Sequence, residues 1–298
     1  VKRLEMFCLH SRREQNKLCV LSFLYHETPH GRFRILDEGP KDGPVLLFVH
    51  GVSYPLEVFS LVVEQMINKG FRCIRFDLYG RGDSSWNGEK LTSDFLATQA
   101  LEVLEATGVL DSIIVVSLSN GDLIANVIAT RIPQRITAMA WVAPSGLDRR
   151  TNNLLFRLAS RVPGFDALVA PFMRWYFSSR MRRHLQALQS RSSTEAGKIY
   201  QHSIDCMNTR KTVARAATNQ LLHQPNSMAV EVSSVGVAAA HIPVLMINFG
   251  SETDTVDPDL NILRQHIRAT EVTIDGLSHM GLLEDPARII PHLLLFFS

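Results

Sequence analysis

The chain has 298 residues, of which 46% are apolar and 20% charged, with a formal net charge of +2. This length supports one large domain or two small ones with an ample core, and the composition excludes a disordered or highly charged nucleic-acid-binding chain. Apolar runs fall short of the ~18 residues needed to span a bilayer.

Leu18–Tyr25 is apolar and follows basic residues, but it lacks a convincing signal-peptide cleavage site and reads as a first strand. Leu18–Glu27 and Gly31–Glu38 form an antiparallel entry to a sheet. Val45–His50 is the next strand, between Pro44 and Gly51. Leu56–Lys69 has helical spacing through Val58, Val62 and Met66, and ends at Gly70. A strand follows at Phe71–Asp77. Thr92–Thr107 is a helix with Leu96, Ala100, Val103 and Leu104 on one face. Ser112–Leu118 and Ile136–Ala143 are strands, as are Pro243–Gly250 and Ala269–Asp275, and Pro286–Phe297 closes the chain as a helix. Strands alternating with helices imply crossovers and a mostly parallel sheet covered on both faces.

The rhythm breaks between about Ser145 and His241, where Asn153–Arg161, Phe165–Gln189 and Ala196–Leu222 have helical patterns. Residues 1–144 and 242–298 thus read as the core, and 145–241 as a helical insertion over the sheet's carboxyl edge. Between Asp148 and Glu231 thirteen basic side chains stand against five acidic ones. The insertion is basic and the remainder acidic.

The most informative stretch is residues 113–125, Ile-Ile-Val-Val-Ser-Leu-Ser-Asn-Gly-Asp-Leu-Ile-Ala. A buried-strand run stops at a small-x-Ser-x-Gly pentapeptide and a helical pattern follows at once. A tight elbow crowds the positions two before and two after its apex. Centring on Ser119 puts Ser117 and Gly121 there, whereas centring on Ser117 would put β-branched Val115 there. Asp122 suits the positive end of a helix dipole, but it would also offset part of the field that stabilises an oxyanion.

A serine is a poor nucleophile unless a base takes its proton and a third group orients that base. Two later strands end in loops that carry such groups. Pro243–Gly250 runs into Ser251-Glu252-Thr253-Asp254-Thr255-Val256-Asp257-Pro258, and Ala269–Asp275 into Gly276-Leu277-Ser278-His279. Ser119, Asp254, His279 is the chain order expected of an elbow serine on a parallel sheet. Asp257 and Glu252 are alternative acids in the same loop, and Asp148 is one after Ile136–Ala143. Asp77, Gly80 and Gly82 resemble the start of a dinucleotide loop, but a third glycine at the required spacing is missing, so they read as turn residues.

Taken together, the chain resembles the α/β-hydrolase fold family over nearly its full length. The resemblance rests on His50-Gly51, on Asp77-Leu78-Tyr79-Gly80-Arg81-Gly82-Asp83-Ser84 and on the Ser119 elbow. It also rests on the Gly250…Asp254…Pro258 loop and on the Gly276…His279 turn with its Glu284-Asp285-Pro286 tail. It is closest to cap-bearing esterases, monoglyceride-lipase-like hydrolases and carbon–carbon bond hydrolases. The resemblance implies Ser119 as nucleophile, His279 as general base and acid, and Asp254 as the orienting carboxylate. Backbone N–H groups of Val52 and Asn120 would form the oxyanion hole.

Within the insertion, Phe165, Phe172, Trp175 and Tyr176 are candidates to line an acyl pocket, or else they pack on the core. Arg174, Arg180, Arg182 and Arg183 would favour an anionic substrate or peripheral contact with a membrane surface, or else form a solvated helix face. The histidines and four scattered cysteines show no metal-ligand spacing, and the cysteines favour reduced thiols in a cytoplasm-like compartment. The expectation is a cofactor-free serine hydrolase of a small or medium, lipid-like carboxylic ester, without nucleic acid as partner. Alternatives are a carbon–carbon bond hydrolase of a vinylogous diketone and a non-catalytic ligand-binding hydrolase fold. Epoxide hydrolysis and haloalkane dehalogenation need a carboxylate nucleophile, which Ser119 does not supply.

Overall fold

The structure, a computed structural model, describes residues 3–6, 22–144, 158, 161–188, 194–223, 236–238, 240–250, 264 and 266–298. Among these residues nine strands form one sheet: β1 (Arg3–Met6), β2 (Ser22–Thr28), β3 (Gly31–Glu38), β4 (Val45–Val49), β5 (Arg72–Phe76), β6 (Ile113–Leu118), β7 (Ile136–Val142), β8 (Val244–Phe249) and β9 (Ala269–Ile274). Their order across the sheet is β1-β2-β3-β5-β4-β6-β7-β8-β9. The first three strands and the β3–β5 pair are antiparallel, and every pair from β5 through β9 is parallel. β1 is a strand that the sequence pattern did not announce.

The central strands are buried along their whole length, as parallel strands covered by helices must be. Alternation sends Leu47, Val49, Val115, Met139 and Trp141 to one face. There they pack against α2 (Ser93–Ala106) and α3 (Gly121–Arg131). Leu46, Phe48, Val116 and Ala140 point the other way, toward α1 (Ser60–Asn68) and the terminal helix Pro286–Phe297. The Leu56–Lys69 pattern divides into a 3-10 turn, Leu56–Phe59, and α1. Thr92 caps α2, its side chain accepting the Phe95 N–H at 3.1 Å.

The chain leaves the sheet after β7 and returns at β8. Between them lie three described helices: α4 (Phe165–Leu188), α5 (Thr194–Thr209) and α6 (Lys211–Leu222). The single helix expected over Ala196–Leu222 is two, because Arg210 has extended backbone (φ −98°, ψ 106°) between them. Its guanidinium engages Asp83 and the Gly82 carbonyl, anchoring the break to the loop after β5. Phe177, Met181, Ile204, Met207, Val213, Ala214 and Ala217 form a small core of their own, and Val52 and Tyr54 from the β4 loop pack against it. The insertion therefore rests on the carboxyl edge of the sheet. The expected helix at Asn153–Arg161 lies almost wholly outside the described residues. No helix among the described residues is long and apolar enough to cross a membrane.

Candidate active site

β6 stops at Leu118 and α3 starts at Gly121, so the chain reverses direction around Ser119. Ser119 has φ 53°, a left-handed conformation costly for a residue with a Cβ. Three features hold it there. The Ser119 N–H donates to the Val142 carbonyl at 2.9 Å, and the Asp122 N–H donates to the Ser119 carbonyl at 3.0 Å. Gly121 presses on β4: a Cβ on it would sit 2.4 Å from the Val49 carbonyl oxygen. The small residue expected two places past the apex is thus a steric requirement. Asp122 is fully buried in the first turn of α3 and accepts the Leu123 N–H at 2.8 Å, which satisfies one of the helix's free N-terminal donors.

The β4 loop runs alongside the elbow, so close that a Cβ on Gly51 would lie 3.2 Å from the Ser119 Cβ. His50, fully buried, orders this loop. Its Nδ1 donates to the Gly51 carbonyl at 2.7 Å and its Nε2 accepts the Leu78 N–H at 2.9 Å. Those partners fix the neutral tautomer, and burial pushes its pKa down to about 4. His50 is a structural residue. Asp77 is another: its carboxylate accepts from Arg34 Nε at 2.7 Å, the Leu56 N–H at 2.9 Å and the Asp83 N–H at 2.9 Å.

A cavity of about 190 Å³ opens above the serine. Its floor is Gly51, Val52, Leu118, Ser119 and Asn120, and His279 and Met280 border it from the loop after β9. The α4 residues Tyr176, Phe177, Arg180, Met181 and His184 form its roof. The structure thus brings Ser119, Asn120, Val52 and His279 to one cavity. Asp254 and its alternatives Glu252, Asp257 and Asp148 lie outside the described residues.

The turn that carries His279 is held by Glu284. The carboxylate accepts the Ser278 N–H at 2.8 Å and also the Ser278 hydroxyl. His184 stacks on Tyr200 and approaches the Ser278 hydroxyl at 3.4 Å. Burial, with Arg180 next in order, pushes its pKa down to about 4, so it is neutral at pH 7. Among the described residues Arg180 makes no ion pair, and it is the one arginine lining the cavity.

The pocket expectation needs correction. Tyr176 lines the cavity, but Phe165, Phe172 and Trp175 do not. Phe172 and Trp175 are each 63% exposed, because the helical turn of α4 sends them to its outer side while 176, 177, 180, 181 and 184 face inward. Sequence reasoning also missed Glu284, His184 and Tyr54 as neighbours of the site. Only the acidic tail after His279 gave any signal for Glu284.

A parallel sheet with a serine on a strand-to-helix elbow, under a helical roof, defines a hydrolytic enzyme. A family model described as the alpha/beta hydrolase family matches residues 46–291, and the chain belongs to this family. Solved structures show the same fold. A Pseudomonas aeruginosa protein named as an epoxide hydrolase is 19% identical, with a TM-score of 0.69, over 95% of this chain and 97% of that one. A hydrolytic enzyme from Pseudomonas aeruginosa PAO1 is 19% identical, with a TM-score of 0.73, over 93% of each chain. Naproxen esterase from Bacillus subtilis is 16% identical, with a TM-score of 0.63, over 93% of this chain and 92% of that one. At these identities the likeness is one of fold. Comparison with curated proteins gives no match.

Proposed function

We propose that the protein is a serine hydrolase that cleaves a carboxylic ester of small or medium acyl size through an acyl-enzyme. The observation that carries this reading is the strained Ser119 at the floor of a cavity that His279 also borders. In this reading Ser119 Oγ attacks the ester carbonyl carbon while His279 accepts its proton. The negative charge that develops on the carbonyl oxygen is met by the N–H groups of Val52 and Asn120. His279 then returns the proton to the departing alcohol, and water releases the acid by the same steps. Asp254 is proposed as the group that orients His279, from its place in the sequence after β8 and the chain order Ser, Asp, His. A serine at the elbow apex sets this chain apart from chemistry that starts with a carboxylate nucleophile.

A second reading, hydrolysis of a carbon–carbon bond in a vinylogous diketone, is favoured by Arg180. A cation in the cavity with no ion pair among the described residues suits a substrate that carries negative charge, as an ionised diketone does.

Labelling with a fluorophosphonate probe tests the nucleophile. Wild type should label and Ser119→Ala should not; an unlabelled wild type, or equal labelling of the variant, overturns the assignment. A panel of esters of increasing acyl length beside a ring-cleavage diketone then separates the two readings. A diketone turned over much faster than every ester would replace the first with the second.

A further inference from the structure

Arg81 is fully buried, yet among the described residues no carboxylate meets it. Burial without a counter-charge lowers its pKa to about 9, which leaves the guanidinium charged at neutral pH. A charge in that position is costly unless its donors are used, and here each arm has an acceptor. Nε donates to the Val52 carbonyl at 3.1 Å and Nη1 to the Tyr79 carbonyl at 2.6 Å, while Nη2 donates to Gln220 Oε1. Arginine only donates, so Gln220 must turn its oxygen toward Arg81 and its NH2 group away. That NH2 group donates to Asn120 Oδ1 at 2.8 Å. One buried cation therefore reaches both Val52 and Asn120, the first directly and the second through Gln220.

The surroundings leave this chain of bonds little freedom. Gln220 and Asn120 are each 3% exposed. Gly80, which precedes Arg81, lies so close to α6 that a Cβ on it would be 2.4 Å from the Ala216 Cβ. Gln220 belongs to α6, so the link also ties the insertion to the floor of the cavity.

We propose that Arg81, acting with Gln220, is a positioning residue for the oxyanion hole. It holds Val52 by its carbonyl and Asn120 by its side chain, and places a positive charge behind the point where negative charge develops. It also opposes the fully buried Asp122, two residues beyond Asn120. This inference rests on the serine-hydrolase reading, in which Val52 and Asn120 supply the two N–H groups.

The test uses the full chain as wild type, Arg81→Met, Gln220→Leu and the double variant. The readouts are kcat and KM on a neutral p-nitrophenyl ester and the rate of fluorophosphonate labelling. Losing an oxyanion donor costs on the order of 10²–10³-fold, so displacing the donors should lower kcat and labelling rate by about 10–100-fold, with KM changed less than about threefold. The double variant should be no slower than the worse single variant, because the two residues act as one unit. Gln220→Leu keeps the inference testable even where Arg81→Met fails to fold. A wild type that labels and turns over beside variants with unchanged kcat would overturn the inference alone. So would a loss confined to KM, or additive losses in the double variant. A wild type that neither labels nor turns over overturns the serine-hydrolase reading and this inference with it.

Discussion

Gly121→Ala should damage stability and reactivity together. A Cβ at this position would lie 2.4 Å from the Val49 oxygen and 3.1 Å from the His50 oxygen. Ordinary contact begins near 3.4 Å, so the elbow and the end of β4 must separate by about 1 Å. Neither partner is a flexible side chain. The elbow is tied to β7 through the Val142 carbonyl, and Val49 is a fully buried residue of an interior strand. Overpacking of this kind costs about 1–3 kcal/mol, and backbone against backbone places it toward the upper end. For a chain of this size that corresponds to a melting temperature lower by roughly 4–6 °C. A displacement of about 1 Å at a reacting serine costs on the order of 10²-fold in rate. Thermal unfolding and fluorophosphonate labelling of the same preparation give both numbers. A Gly121→Ala protein that melts with wild type and labels at the wild-type rate would refute the steric account of the elbow.

Gly197→Ala should do the opposite, because the nearest atom to a Cβ there is Leu185 Cδ1 at 3.9 Å and the position is helical. A gain of about 0.5–1 kcal/mol should appear as a higher melting temperature with unchanged labelling. Thr92→Ala removes the cap of α2 and should cost about 1 kcal/mol in denaturant unfolding. Stability should also fall as the pH drops from about 6.5 to 4. His50 is neutral in the fold down to about 4 but protonates earlier in the unfolded chain, so the unfolded state binds more protons across that window. The full effect is roughly 3 kcal/mol, and the half-buried His184 adds a smaller share of the same sign. In Asp37, burial opposes ionisation, but the bonds from Arg72 and Lys41 outweigh it and hold the pKa below its ordinary value. Its contribution is lost only at lower pH, as the carboxylate protonates. Melting curves from pH 7 to 4 should slope less in His50→Gln, and an unchanged slope would remove His50 from the account.

The parts legible in the sequence were those written in local pattern. Ile113–Leu118 is buried throughout and apolar but for Ser117 because it is covered on both faces, and Ser117 and Gly121 are small because the turn around Ser119 is crowded there. The face of α4 that meets the sheet was not legible. Apolar side chains occur all round that helix, so periodicity does not separate the inward Tyr176 and Met181 from the outward Phe172 and Trp175. The break at Arg210 was hidden for a different reason. Neither glycine nor proline marks it, and its cause is a contact with Gly82 and Asp83, far away in sequence. Arg81 and Gln220, 139 residues apart, are likewise a polar pair that no window along the chain can find.

These differences bear on how the insertion works. α6 enters the body of the protein with polar residues: Asn219 accepts the Leu91 N–H at 2.9 Å, and Gln220 bonds to Asn120 at 2.8 Å. Bonds of this kind have a defined partner and direction, so they set the register of α6 against the sheet. The roof that α4 contributes is held in both ways: Asp166 accepts from Arg215 Nε at 2.9 Å and Asn219 Nδ2 at 3.2 Å, Ser178 donates to Asn208 Oδ1 at 2.8 Å, and Phe177 and Met181 pack against Ile204, Met207 and Val213. Apolar packing is non-directional and tolerates volume-conserving exchange. Volume-conserving exchanges among these apolar residues should therefore be tolerated better than loss of Asn219 or Gln220. On the proposed serine-hydrolase reading, exchanges of the cavity-lining α4 residues Tyr176, Arg180 and His184 should shift preference within the ester and diketone panel, whereas exchanges at the elbow, Arg81 and Gln220 should lower kcat on every substrate.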